Sequence, residues 1–280
     1  MQSRGRDAWG CSDGQTVLRY TGELIDTWDK SFQTTKDWSQ GIFHTRGASC
    51  GEKGKVENAH PFSYQKEDGS WIIGIHNGCL HNHDALNRKY SRSCEVDSMH
   101  IWMHLAEGKP WSDIEGWGNL AWWETTPKFG QVLHLTRFNS NNLDVAQLEQ
   151  GEWVFASEMA PIRTIAKLFG NPVKAFYTLD EQHPYWFAPN DTGAITMWRG
   201  EQRFPFGPRF SQLVAIPYQG EYGYCGRGPV RPSLKNDLDS YCLKCGNTKV
   251  SSKTHVLCIG CFNDLVSQFN ATKKALVGVN

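Results

Sequence analysis

Long apolar runs are missing from this 280-residue chain: nothing approaches the roughly 18 consecutive apolar residues that a membrane span needs. The polar start, Met1-Gln2-Ser3-Arg4-Gly5-Arg6-Asp7, lacks the apolar stretch of a secretory leader. A soluble, cytoplasmic protein without membrane contact is the expectation. An excess of charge is missing too, because 29 Lys and Arg balance 29 Asp and Glu, which argues against a whole-chain electrostatic footprint for nucleic acid. No segment recurs at a period of some 20–50 residues, which excludes a solenoid. An even cysteine count is missing as well. Nine cysteines suit free thiols or metal ligands in a reducing compartment better than a disulfide framework.

What is present is apolar material for a core: 39% hydrophobic residues, with 12 Trp and 14 Phe. The length allows one large domain with a small appendage, or two modest domains. Through residue 200, short β-like runs alternate with turn signals and two helical patterns, as in an α+β domain. Asp13-Gly14 separates Cys11 from Thr16-Val17-Leu18-Arg19-Tyr20, a hairpin pattern. Asp68-Gly69-Ser70 precedes the apolar strand candidate Trp71-Ile72-Ile73-Gly74-Ile75. His83 to Leu86 and Asp97 to Leu105 read as helices, the second behind an Asp97 cap. Gln131 to Thr136 and Trp153 to Ala156 read as two strands joined through the polar turn Asn139-Ser140-Asn141-Asn142. Met159 to Leu168 reads as a helix stopped by Gly170. From about Gly200 prolines and glycines accumulate, so residues 201–240 are expected to be a linker or arm and residues 241–280 a separate module.

Three blocks stand in one order: Arg4-Gly5-Arg6-Asp7-Ala8-Trp9-Gly10, then His44-Thr45-Arg46-Gly47-Ala48-Ser49-Cys50-Gly51 with Glu57-Asn58-Ala59-His60-Pro61, then His76-Asn77-Gly78. Cys94-Glu95-Val96-Asp97-Ser98 and Phe155-Ala156-Ser157-Glu158 follow. In this order and spacing, residues 1–190 resemble the class II glutamine amidotransferases. The resemblance implies a four-layer α/β/β/α fold of the N-terminal-nucleophile hydrolase type and a substrate, glutamine. Free glutamine needs a cation for its carboxylate, an anion for its ammonium and donors for the oxyanion formed on its amide. Arg46 matches the family's carboxylate-binding arginine, whose planar fork suits a bidentate contact. Asp97 matches the ammonium-binding aspartate. Asn77, by its side chain, and Gly78, by its backbone N–H, match the oxyanion hole. His44 and His60 are assigned to packing and hydrogen bonding.

The chain departs from the family where the chemistry starts. The family's nucleophile is the thiol of an N-terminal cysteine whose own amino group acts as base. Here the second residue is Gln2, and the family's first strand and helix have no counterpart. Cys11 cannot be freed without losing Arg4 to Gly10, and Cys50 and Cys79, although near the expected site, carry no free amine. Gly47 also replaces a tryptophan of the pocket wall. Either a Cys-led segment belongs upstream, or the protein is a degenerate relative that kept the scaffold; retention of Arg46, Asn77, Gly78 and Asp97 favours the first. The enzyme expected is therefore a glutaminase that is inactive as given and delivers ammonia to a separate acceptor. The rival reading is a pseudo-amidotransferase acting as a binding module. The Trp-rich middle resembles compact members encoded by phages.

Near the carboxyl terminus, Cys242, Cys245, Cys258 and Cys261 form C-x2-C-x12-C-x2-C, a zinc-ribbon-like spacing in which two knuckles each present a thiolate pair. Four thiolates close a tetrahedral shell, so a structural Zn2+ is expected rather than a catalytic one. Lys244, Lys249, Lys253, Lys273 and Lys274 make this end basic. A protein partner is the expected use of that surface, with nucleic acid as the alternative.

Overall fold

The computed structural model describes residues 5–126, 130–140, 142–201, 204 and 206. Its first strands follow from a turn. Asp13 Oδ1 accepts from Gln15 N (2.9 Å) and Thr16 N (2.7 Å), and Gly14 takes φ +95°. This closes β1 (Ala8–Ser12) onto β2 (Val17–Thr21), and β1 also pairs with β3 (Ile42–Arg46) in a sheet ordered β2-β1-β3. Along β3, Ile42 and Phe43 point to opposite faces. Phe43 meets Trp28 of α1 (Leu24–Thr35) at 6.4 Å between rings, while Ile42 enters the core between the sheets.

A six-stranded antiparallel sheet lies across that core, ordered β12 (Ile195–Arg199), β11 (Tyr185–Pro189), β7 (Gly130–Phe138), β6 (Gly116–Thr126), β5 (Trp71–Leu80) and β4 (Phe62–Gln65). A further three-stranded sheet, β10 (Val173–Thr178), β8 (Asp144–Leu148) and β9 (Trp153–Ala156), shares the same core face and is covered by α4 (Met159–Leu168). Ile73, Ile75, Trp123, Leu135 and Val145 fill the space between the sheets. Residues of alternate parity, Ile72 and Trp122, face the helices α2 (His83–Tyr90) and α3 (Ser98–Ala106) on the other side, together with Trp102 and Leu86. The order of layers is α/β/β/α, as the resemblance implied.

The structure corrects two local expectations. The strand candidate Trp71 to Ile75 does not stop at Ile75; His76-Asn77-Gly78 lies inside β5, in continuous register with Leu120, Asn119 and Gly118 of β6. The strands at residues 131 and 153 are not joined by one polar turn either. The strand β8 intervenes, and β7 and β9 belong to different sheets. Phe206 stacks on Phe138 with ring centroids 4.0 Å apart, so packing into the helix-side core continues past residue 200.

Candidate active site

The site is assembled from β3, the segment after it, the end of β5 and the start of α3. Arg46 closes β3, where Ala8 of β1 is its register partner. The Asp7 main chain donates to Arg46 O (3.1 Å), and its carboxylate accepts from Ala48 N (2.8 Å). Asp7 therefore fixes the backbone on both sides of Gly47. Gly5, at φ +66°, lies so close to the Thr45 carbonyl that a Cβ would come within 2.5 Å of it. This accounts for the glycine and aspartate of the first sequence block in positional terms. They set Arg46.

The Arg46 side chain is 4% exposed. Its Nη2 donates to Cys50 O (2.5 Å), while its Nη1 is buried without a hydrogen-bond partner. A permanently charged group with an unspent donor in a buried place is costly. Asp97, 3% exposed, caps α3: Oδ1 accepts from Ser98 N (2.8 Å), and Oδ2 accepts from Leu80 N (2.7 Å) at the end of β5. One carboxylate thereby locks the helix start to the strand.

Strand geometry fixes the third feature. β4 pairs with β5 only from Trp71 to Gly74, so the later edge of β5 is free of that neighbour. The N–H groups of residues two apart leave a strand on the same edge. Since Leu80 N–H turns toward Asp97, Gly78 N–H turns to that same unpaired edge. Glycine is required there for contact reasons, because a Cβ on Gly78 would sit 2.1 Å from Trp117 O.

Arg46, Asn77, Gly78 and Asp97 line one cavity of about 170 Å³, shared with Cys50 and Ser98 among others. All four site residues expected from sequence thus meet in one place. His44, His60 and His76 also line it. His44 and His60 have rings 4.2 Å apart. Burial pushes His44 down to about 3 and His60 well below the usual imidazole range, with His76 also lowered for the same first reason. The floor is therefore made of neutral imidazoles. Cys50 reaches the cavity and donates its thiol hydrogen to Asp97 Oδ1 at 3.2 Å. Cys79 and Cys11 are buried and do not line it, and burial pushes the Cys11 thiol up to about 12. Gly47 leaves the wall open: a Cβ there would touch nothing nearer than the Gly5 backbone at 3.6 Å. His76 and Ser98 sit at the centre of this constellation, although their sequence blocks suggested no role for either.

Among the described residues no group of three or more His, Cys, Asp or Glu is arranged to hold a metal, and no helix is long and apolar enough to cross a membrane. The quartet Cys242, Cys245, Cys258 and Cys261, and most of residues 201–240, lie outside the described residues.

Comparison with known proteins agrees with this fold. Over 102 residues the chain is 32% identical to a glutamine–fructose-6-phosphate aminotransferase (isomerizing) of Halalkalibacterium halodurans, an alignment covering 35% of this chain and 16% of that enzyme. The structure of glutamine phosphoribosylpyrophosphate amidotransferase from B. subtilis, complexed with ADP and GMP, superimposes with a TM-score of 0.50 and 17% identity over 72% of this chain and 44% of that one. The structure of the allosteric regulatory enzyme of purine biosynthesis covers the same shares with a TM-score of 0.44 and 20% identity. No family model matches the chain. Over the matched residues the fold resembles that of the phosphoribosylpyrophosphate amidotransferase, and the chain spans less than half the length of each of these proteins.

Proposed function

We propose that the cavity is a glutamine site of the class II amidotransferase type. In this reading the Arg46 guanidinium pairs with the substrate carboxylate and Asp97 with its α-ammonium. Asn77 and the Gly78 N–H receive the amide oxygen. The observation that carries the reading is the unpartnered Arg46 Nη1, buried in a cavity that also holds the Asp97 carboxylate. Free amino acids carry these two charges on one carbon, and a site built for them needs both counter-charges in place.

Hydrolysis in such a site proceeds by attack of a thiolate on the amide carbon. The oxyanion collapses with loss of ammonia, and water then cleaves the glutamyl thioester to glutamate. Cys50 is poorly suited to start this, because ionising its thiol would place two anions side by side with Asp97. We therefore propose that none of the described cysteines is the nucleophile, with the ammonia passing to a separate acceptor. The chain as given then binds glutamine or glutamate without hydrolysing it. Titration calorimetry tests this: L-glutamine should bind the full chain, and Arg46→Ala should abolish the heat. Ammonia release by this chain that depends on Arg46 would overturn this exclusion of the described cysteines.

The four C-terminal cysteines are proposed to hold one structural zinc, since the donor set is complete in itself. Metal analysis should find one zinc per chain, lost in Cys245→Ser. Well under one zinc in freshly purified protein would refute it.

A further inference from the structure

Asp97 Oδ1 is a crowded acceptor. Ser98 N lies 2.8 Å from it, the Cys50 thiol 3.2 Å and the Ser98 hydroxyl oxygen 3.3 Å. The Ser98 hydroxyl has a single hydrogen and two places to send it: Asp97 Oδ1 at 3.3 Å or His76 Nδ1 at 2.8 Å. The other side of the imidazole decides between them. His76 Nε2 is 3.2 Å from Trp117 O, and a carbonyl oxygen can only accept. Nε2 therefore carries the hydrogen. Burial keeps the ring neutral, so Nδ1 is left bare and accepts from Ser98.

The ring is held in that place by the absence of side chains around it. Gly78 and Gly118 are register partners on β5 and β6, and a Cβ on either would come within 2.4 Å and 2.1 Å of Nε2 respectively. Once the Ser98 hydrogen turns to His76, the lone pairs of Ser98 Oγ face Asp97 with no hydrogen between the two oxygens. Both residues line the cavity. Two adjacent oxygens, one anionic and neither donating to the other, form an acceptor pair for a cation. The thiol of Cys50, a weak donor, is the group that such a cation would displace.

We propose that His76 is a positioning residue which, by fixing the Ser98 hydroxyl as an acceptor, makes Ser98 Oγ and Asp97 Oδ1 a joint receptor for the α-ammonium of the bound amino acid. This rests on the glutamine reading of the cavity and extends it, because it makes recognition of the ammonium depend on a proton arrangement two residues deep. A purely structural His76, tying β5 to α3, would affect all ligands of the cavity alike.

The experiment is calorimetry on the full chain with two probes, L-glutamine and 4-carbamoylbutanoate, which is glutamine without its amino group. In His76→Leu the Ser98 hydrogen has no ring to go to and turns onto Asp97. L-Glutamine should then bind about tenfold more weakly, as for one hydrogen bond to a charged group, while 4-carbamoylbutanoate should be unchanged. His76→Asn, which keeps an acceptor oxygen near the Nδ1 position, should stay near the parent. Adding Ser98→Ala to His76→Leu removes the misdirected hydrogen, so the double variant should bind L-glutamine more tightly than His76→Leu alone. Equal or weaker binding by the double variant, or a His76→Leu loss shared by both probes, would overturn the proposal. Should His76→Leu fail to melt cooperatively, Ser98→Ala in the parent decides. It should weaken L-glutamine severalfold and leave the other probe alone, and unaltered L-glutamine affinity would refute the receptor pair. Failure of the parent to bind L-glutamine, or binding that survives Arg46→Ala, would instead remove the underlying glutamine reading, and this proposal with it.

Discussion

Among the described residues, Arg46 and Arg92 both have buried side chains, and they differ in what is left over. Arg92, between α2 and α3, has a side chain 5% exposed, and both of its terminal nitrogens have partners. Nη2 meets Glu107 at 2.6 Å, Nη1 lies 3.0 Å from His104 Nδ1 and 3.3 Å from His100 Nδ1, and the plane sits 4.6 Å over the Tyr90 ring. Arg46 is buried to a similar degree but keeps an unspent nitrogen in a cavity. Two histidines contact Arg92, and three line the cavity that holds Arg46. The saturated arginine holds two helices together, and the unsaturated one costs the fold something that only a ligand would repay. Residual hydrogen-bonding capacity, rather than burial or residue type, separates the structural site from the functional one.

The comparison breaks most visibly in urea unfolding. Arg92→Ala leaves Glu107, 40% exposed, to solvent but takes a buried partner from two imidazoles and the Tyr90 ring, and should lower stability by about 2 kcal/mol while leaving L-glutamine affinity near the parent value. Arg46→Ala should do the reverse, changing stability by less than about 1 kcal/mol and weakening L-glutamine by a hundredfold or more. If both variants lose stability alike, the distinction fails. Asp97→Asn should fall between them. Its amide cannot accept from Leu80 N and Ser98 N and also face an ammonium, so about 1–2 kcal/mol of stability and roughly tenfold in affinity should go together.

Acid sharpens the comparison from the other direction, because one buried histidine beside each arginine, His44 and His100, responds to it in the same sense. Unfolded chain takes up protons on histidine near about pH 6.5. Folded His44 and His100 do so only near 3, owing first to burial and then to neighbouring imidazoles. Between those values the unfolded state holds more protons. Stability is therefore whole above about 6.5 and falls as pH drops toward 3. Replacing either histidine by Asn should flatten the slope of stability against pH by about 1.4 kcal/mol per pH unit, read from urea midpoints between pH 6 and 4. A slope unaltered in His44→Asn would show that this imidazole charges freely in the folded protein. The smallest effect is expected at the exposed ion pair on Asp7. Lys53, whose side chain is 69% exposed, stands 3.5 Å from Asp7, and Lys53→Met should shift stability by no more than about 0.5 kcal/mol.

How much of this was legible in the sequence depended on whether the deciding partner lay nearby in the chain. The strand β9 and the helix α4 have the bounds read from Trp153-Val154-Phe155-Ala156 and from Met159 to Leu168 with Gly170 beyond, because their signals are local. The strand β6 opens with Gly116-Trp117-Gly118-Asn119, where the glycines carry no local strand signal. Its glycines are demanded by His76 and by the Cys79 carbonyl across the sheet. The strand β8 was hidden behind Asp144, a carboxylate that is buried and accepts from Thr178 Oγ1. The helix α1 has only Leu24, Ile25, Trp28 and Phe32 as apolar positions among twelve residues, and Ile25 among them points outward at 60% exposure. At the site, Arg46, Asn77, Gly78 and Asp97 were legible through the order of their blocks. His76 and Ser98 were not, since their meaning comes from a hydrogen whose direction is set by Trp117 on another strand.

Among the described residues, the outer strands of the sheets are not treated alike. Arg19 on β2, Lys174 on β10 and Arg199 on β12 put a charge on the strand, and Lys66 follows β4 at once. The β9 margin, Trp153-Val154-Phe155-Ala156, carries none. Natural sheets use charge or proline to discourage foreign strands from annealing to an open margin. Here β9 stands at the edge of its sheet without that guard. In concentrated solution it is where one copy would stitch to the next, and where an added extended peptide would compete with that stitching.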